Sequence, residues 1–505
     1  MARAGLREGS PVPPGTTIPA VANQDRLTGL DSSFLHLERD ASHMHVAGCS
    51  VFAGTAPAYD ELIEAIESRL HLVPRYRQRL AFVPFNQGRP VWVDDPHLNV
   101  RYHVRHTALP RPGGDAELKR LAGRVFSQAL DRSRPLWELW LVEGLAGGRF
   151  ALLSKTHHAL VDGVSGVDIA TVLFDTSAEP LPVAAPEHEW VARPLPTSAQ
   201  LLADALLERA TVPQEIVRGI RATLRGPRAM AGRLSRGMGS VGALARTGLQ
   251  AAPPSPFNVR IGPHRRFTWV EADLGRFKAI KNALGGTVND VVLAVVAGAL
   301  GSYMRLHGQS TDGPGLRAMV PVSVRADIER GALGNRVAAM WVTLPVGVTD
   351  PVERLHGVSA DMQGIKQSGQ AVGAEILTRV SGFAPPTIMA QAARLQARQR
   401  LFNLVVTNVP GPQFPLYLLG RELESIYPMV PLAENTAVGI AILSYHGQLN
   451  FGLVADYDAL ADVEVLADEL RASIEELAAA AGAPPPSAPR RASGSREADR
   501  ARAGR

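Results

Sequence analysis

The apolar run Phe150-Ala151-Leu152-Leu153-Ser154-Lys155-Thr156 ends in His157-His158-Ala159-Leu160-Val161-Asp162-Gly163, and this junction constrains the chain more than any other stretch. A run of this kind predicts a buried strand. It delivers two adjacent imidazoles to the strand end, with a carboxylate four residues after the second. Successive side chains of an extended segment point to opposite faces, so one imidazole can face a cleft while the other is buried. Histidine is the usual side chain for moving a proton near neutral pH. A glycine after the aspartate permits a sharp turn.

The surrounding pattern is α/β. Within 25–175, residues 45–52 read as a strand and 59–72 as a helix with Leu62, Ile66 and Leu70 on one face. Residues 91–93 and 100–104 read as extended, 115–130 as a helix, and 137–143 and 150–156 as strands. Residues 176–264 change character. Pro-rich stretches flank a helical segment expected over 198–249, no acidic residue occurs between Ile216 and Val270, and Arg218, Arg221, Arg225, Arg228, Arg233, Arg236 and Arg246 fall in that interval. This is expected to be a helical crossover linker. Its Gly237-Met238-Gly239-Ser240-Val241-Gly242 formally matches G-x-G-x-x-G, but no strand precedes it and no carboxylate follows at ribose-binding distance, so no dinucleotide site is expected. A second α/β domain is expected over 265–482, with strands at 267–271, 317–322, 338–344, 403–408, 437–444 and 448–455, a helix at 289–306 and a closing amphipathic helix at 462–480. Residues 1–24, rich in Pro, Gly, Ala and Thr, and 483–505, rich in Pro, Ser and Arg, are expected to be disordered.

Composition narrows the function. The net charge is only +5, and the basic excess is nearly all arginine, the skew that GC-rich coding gives, so no nucleic-acid partner is expected. The single cysteine, Cys49, excludes an intrachain disulfide and suits a reducing compartment; inside a strand it reads as a small core residue. No secretory signal is expected, and no apolar stretch reaches the ~18 residues a spanning helix needs. His158 and Asp162 have i, i+4 spacing, but no compact third or fourth ligand follows, so no metal is expected.

The motif H-H-x-x-x-D-G resembles that of the CoA-dependent acyltransferase superfamily, and further stretches resemble its wax ester synthase/diacylglycerol acyltransferase branch. These are Leu27-Thr28-Gly29-Leu30-Asp31-Ser32-Ser33-Phe34-Leu35 followed by Met44-His45-Val46, Pro135-Leu136-Trp137-Glu138, Asn289-Asp290, Pro321-Val322-Ser323-Val324-Arg325, Gly334-Asn335-Arg336 and Asn408-Val409-Pro410-Gly411-Pro412. The resemblance implies a two-domain, chloramphenicol-acetyltransferase-like α/β sandwich with a central channel. It implies His158 as general base, His157 as its packed support, and Asp162 as a mainly structural carboxylate paired with Arg325 or Arg336, with Gly163 in the turn. Asn289 is expected at a helix start, as a simple N-cap or a donor to the thioester oxygen. Pro135, Leu136, Trp137, Asp290, Asn408, Pro410 and Gly411 are expected to line the substrate, Trp137 as core packing that walls the channel. The implied donor is acyl-CoA as co-substrate, with no cofactor, and the acceptor is diacylglycerol or a long-chain alcohol. Another hydroxyl acceptor, or a non-catalytic lipid-binding protein on the same fold, stays open. The arginine-rich linker is expected to dock on an anionic membrane or lipid-droplet surface, placing the protein peripherally on the cytoplasmic side.

Overall fold

Two six-stranded sheets carry the described part of the chain. The computed structural model describes residues 25–161, 172–179, 182–208, 251–323, 337–368 and 400–485. The first sheet contains β1 (His45–Phe52), β4 (Val104–Ala108), β5 (Trp137–Leu145), β6 (Arg149–His157), β11 (Tyr417–Leu418) and β12 (Arg421–Met429), in the order β11-β12-β1-β6-β5-β4. The second contains β7 (Arg265–Asp273), β8 (Leu316–Ser323), β9 (Val337–Leu344), β10 (Leu404–Pro410), β13 (Val438–Tyr445) and β14 (Gln448–Asp456), in the order β7-β14-β13-β10-β8-β9. A small hairpin, β2 (Gln78–Ala81) with β3 (Val91–Asp94), stands apart.

β6 runs through the middle of its sheet, antiparallel to both β1 and β5. Its alternate side chains feed two cores. Phe150 and Leu152 join one with Phe52, Leu139 and Leu160. Ala151 and Leu153 join another with Cys49, Val51, Phe267, Trp269 and Val454. That second core lies between the two sheets, which explains why β6 reads as an unbroken apolar run. Cys49 is fully buried, and burial pushes its thiol far above the usual range, so it packs as a small apolar residue.

Behind the second sheet, α7 (Val288–Leu306) is apolar on every side and buried over Val291–Ala297, as a helix enclosed by neighbours must be. It packs against α8 (Pro351–Ser368) and α9 (Val463–Ala480). α6 (Leu274–Leu284) and α8 complete this layer and were not foreseen in the sequence pattern.

Three differences from the sequence expectations have clear causes. Residues Val100–His103 form a single helical turn, α3, rather than extended chain: Val100 and His103, three apart, bury the same side, and β4 starts only at Val104. The helix expected over 59–72 is α2 (Tyr59–Arg69) followed by a tighter turn at Leu70–Leu72. Most consequentially, β11 and β12, from the second half of the sequence, complete the first sheet. β12 pairs with β1 from Ala47↔Met429 to Phe52↔Leu423, and Tyr427 stacks on Trp269 of β7 with ring centroids 4.2 Å apart. The sheets meet so closely that a Cβ on Gly452 would lie 1.8 Å from the Pro428 carbonyl oxygen. Of the expected crossover helix, 198–208 is helical, and the arginine cluster lies outside the described residues.

Candidate active site

β6 ends at His157, and His158 opens the short helix α5 (His158–Val161). Both backbones are pinned. The His157 N–H donates to the Leu136 carbonyl at 2.9 Å, and the His158 N–H donates to the Met44 carbonyl at 2.8 Å. His157 is buried and His158 half-buried. The His158 ring stacks on Phe34, centroids 4.1 Å apart and planes 24° from parallel. Phe34 belongs to α1 (Gly29–Leu37), whose N-terminus is capped by Thr28: its hydroxyl accepts from the Asp31 N–H at 3.1 Å.

The Ala159 N–H donates to His157 Nδ1 at 3.1 Å. A backbone N–H can only donate, so Nδ1 holds a lone pair there and Nε2 carries the ring proton. Nε2 faces Glu38 Oε2 at 3.5 Å, a long polar contact, and has no hydrogen bond among the described residues. Glu38, just beyond α1, is tied to Arg132 through the Nε–H at 3.0 Å and a shorter Nη2 contact. It also receives the Met44 N–H at 3.4 Å and lies 3.8 Å from His43 Nδ1. Burial pushes its carboxyl up, but the His157 and Arg132 contacts outweigh it and hold the group at about 2. His45, directly opposite His157 on β1, is likewise buried and bonds the Phe126 carbonyl at 2.8 Å. Lys155, two residues back on the same face, reaches the Gln128 carbonyl at 2.9 Å and Glu138 at 3.2 Å. Sequence reasoning missed Glu38, Arg132 and Phe34 as part of this cluster. Only Phe34 stood inside a quoted motif.

Pro135, Leu136 and Trp137 are all buried. Trp137, expected as core packing that walls the substrate channel, lies in the first core with its indole N–H donating to the Tyr76 carbonyl at 2.9 Å and His103 stacked on its ring at 4.5 Å. The segment's direct link to the His pair is the Leu136 carbonyl.

On the second sheet side, Thr287 rather than Asn289 is the N-cap of α7. Its hydroxyl accepts from the Asp290 N–H at 3.2 Å, and Asp290 Oδ2 accepts from the Thr287 N–H at 2.8 Å. This reciprocal box gives the buried Asp290 a capping role and frees Asn289 from one. Asn289 instead meets Asn408 of β10: Asn408 Nδ2 donates to Asn289 Oδ1 at 3.3 Å. Pro410 ends β10, and the Gly411 N–H donates to Ser444 Oγ at 3.2 Å. A Cβ on Gly411 would meet the Ser444 carbonyl oxygen at 2.3 Å, so the close approach there requires glycine. The structure thus joins Asn289 of α7 with Asn408 of β10, and His157 at the end of β6 with Leu136 just before β5. Asp162, Gly163, Arg325 and Arg336 lie outside the described residues.

A family model described as the wax ester synthase/diacylglycerol acyltransferase catalytic domain matches residues 27–292, and a WS/DGAT C-terminal domain model matches 333–478. The chain belongs to the wax ester synthase/diacylglycerol acyltransferase family. It is an acyltransferase, and the catalytic-domain match takes in the His pair, Pro135–Trp137 and Asn289–Asp290, while the C-terminal match takes in Asn408–Gly411. A putative diacylglycerol O-acyltransferase of Mycobacterium tuberculosis is 33% identical over 492 residues, covering 94% of this chain and 93% of that protein. A probable diacylglycerol O-acyltransferase of the same organism is 35% identical over 466 residues, covering 90% and 98%. The solved wax ester synthase/diacylglycerol acyltransferase of Marinobacter aquaeolei superposes with a TM-score of 0.63 at 30% identity, covering 90% of this chain and 100% of that one. The starter condensation domain of rhizomide synthetase shares the fold at 14% identity and a TM-score of 0.55, covering 91% and 94%. The two-domain α/β architecture is therefore common to the family and to condensation domains.

Proposed function

We propose that this acyltransferase moves a long-chain fatty acyl group from acyl-CoA to the hydroxyl of diacylglycerol, and also of a long-chain alcohol, with His158 as the general base. The observation that carries the reading is the half-buried His158 imidazole at a strand end, pinned through its backbone and stacked on Phe34, in a chain of this family.

The chemistry follows from the weak nucleophilicity of a neutral hydroxyl. His158 accepts the acceptor's proton as its oxygen bonds to the thioester carbonyl carbon, a contribution of typically ~10²–10⁴-fold. The carbonyl electrons move onto oxygen. In this reading the Asn289 amide, turned by its Asn408 contact so that its oxygen is occupied, offers its N–H group to that oxyanion; such donors are worth ~10²–10³-fold. Collapse breaks the carbon–sulfur bond, and the imidazolium returns its proton to the leaving thiolate, giving ester and free CoA. The arginine-rich interval docks the protein peripherally on an anionic membrane or lipid-droplet surface, where both lipid substrates partition.

The test is CoA release from palmitoyl-CoA with diacylglycerol or hexadecanol as separate acceptors. Acceptor-dependent release in the wild type, reduced ~10²–10⁴-fold in His158→Ala, is expected. Release unchanged in His158→Ala removes the base assignment. Acyl-CoA binding without release for either acceptor points to another hydroxyl or to a non-catalytic role.

A further inference from the structure

We infer that Glu38 is a positioning residue for acyl transfer: its carboxylate, fixed by Arg132, holds the His157 ring and the Met44 strand entry, and through both sets where the His158 imidazole stands. The inference rests on His158 being the base.

The geometry leaves little freedom around the pair. His157 Nδ1 is committed to the Ala159 N–H, so its proton points from Nε2 toward Glu38 Oε2 at 3.5 Å. No group among the described residues takes that proton in a hydrogen bond, so the long contact to the Glu38 carboxylate is the polar interaction it has. Without the carboxylate, a buried N–H would face nothing, and a ring flip would break the Ala159 contact that sets the first turn of α5. Glu38 Oε1 also receives the Met44 N–H, and the Met44 carbonyl receives the His158 N–H. One carboxylate therefore contacts one histidine through its ring and the other through the adjoining strand. Glu38 caps the C-terminal end of α1, and Phe34 of that helix stacks on His158. Helix, carboxylate and stacking ring thus form one clamp around the imidazole pair. Arg132 anchors it from outside, donating also to the Leu35 carbonyl at 3.3 Å. The Glu38 carboxyl stays ionised at working pH, since its His157 and Arg132 contacts outweigh the burial that raises it. Placement of a base is worth much: a shift of about 1 Å costs up to ~10²-fold in rate.

The experiment compares wild type, Glu38→Gln, Glu38→Asp, His158→Ala and the double variant Glu38→Gln/His158→Ala. CoA release is normalised to the folded fraction from circular dichroism. Glu38→Gln should lower kcat ~10–100-fold with KM for palmitoyl-CoA within about twofold. The double variant should be no slower than His158→Ala alone, because the clamp acts only through the base. Glu38→Asp, which keeps the charge on a shorter stem, should recover part of the loss and supplies the same kcat-against-KM readout if Glu38→Gln does not fold. Wild-type kcat in Glu38→Gln and Glu38→Asp, with His158→Ala inactive, overturns the positioning role alone. So does a loss carried by KM, or one that persists in full on top of His158→Ala. Wild-type turnover in His158→Ala overturns the base and the clamp together.

Discussion

Glu38 illustrates how a buried charge is kept at the residue scale. A carboxylate taken out of water is costly unless partners replace the lost hydration, and here Arg132, His157, His43 and the Met44 N–H surround it. Its depressed pKa makes the folded state sensitive to acid. The carboxyl goes from an ordinary value of 4.5 to about 2 on folding, so its stabilisation is fully present above pH 4.5 and disappears as the pH falls toward 2. The shift corresponds to roughly 3 kcal/mol. Urea melts across that pH range should show wild-type stability falling more steeply than that of Glu38→Gln; parallel slopes would exclude the linkage. None of this was legible in the sequence. Glu38 follows the quoted N-terminal motif with no periodicity of its own, and its partners His157 and Arg132 come from distant stretches. The His pair was legible because local sequence creates it: an apolar strand run that stops at two imidazoles.

At the scale of elements, the capping of α7 shows local chemistry deciding a residue's availability. Thr287-x-x-Asp290 is a readable box, and once it is recognised Asn289 no longer needs to be the cap. A second feature of α7 opposes simple propensity. Gly298 sits mid-helix, where alanine would ordinarily gain up to about 1 kcal/mol. A Cβ there would lie 2.3 Å from Ser473 Oγ and 2.7 Å from the guanidinium of Arg354. Arg354 cannot easily yield, since it bonds the carbonyls of Ala294, Val348 and Thr349 as well as Glu476. Overpacking therefore wins, and Gly298→Ala should destabilise the protein by ~1–3 kcal/mol in thermal or urea unfolding; a stabilised variant would show that α9 yields instead. β12 was among the elements sequence reading lost. Its buried positions, Leu423, Ser425, Tyr427 and Met429, alternate as a strand should, but two of the four are polar-bearing, Glu422 and Glu424 flank them, and Pro428 interrupts the run. Only the partner, β1, makes the pattern intelligible.

For the whole molecule, the sharing of strands means that the first half of the sequence cannot complete its own sheet, and that β11 and β12 of the second half lose their β1 partner when the halves are separated. Fragments covering 25–264 and 265–485 should each be poorly soluble alone and regain soluble, cooperative unfolding when produced together; a well-folded, monomeric 25–264 fragment would contradict this. The proposed surface docking belongs to the same scale. Neutralising Arg221, Arg225 and Arg228 together should weaken binding to anionic liposomes at low salt while leaving binding to neutral ones unchanged, and equal binding by both proteins would remove the docking role. The late arrival of β12 also has a meaning during biosynthesis. β1 leaves the ribosome early, yet the strand that covers its outer edge is translated only after everything between Phe52 and Arg421 has been made. At ~5–20 residues per second that interval is on the order of tens of seconds, long compared with hairpin formation, and throughout it the nascent chain displays an open β-edge bordered by Cys49, Val51 and Phe52. Soluble yield should therefore track how quickly the second half is translated, and how well chaperones screen that edge until it is.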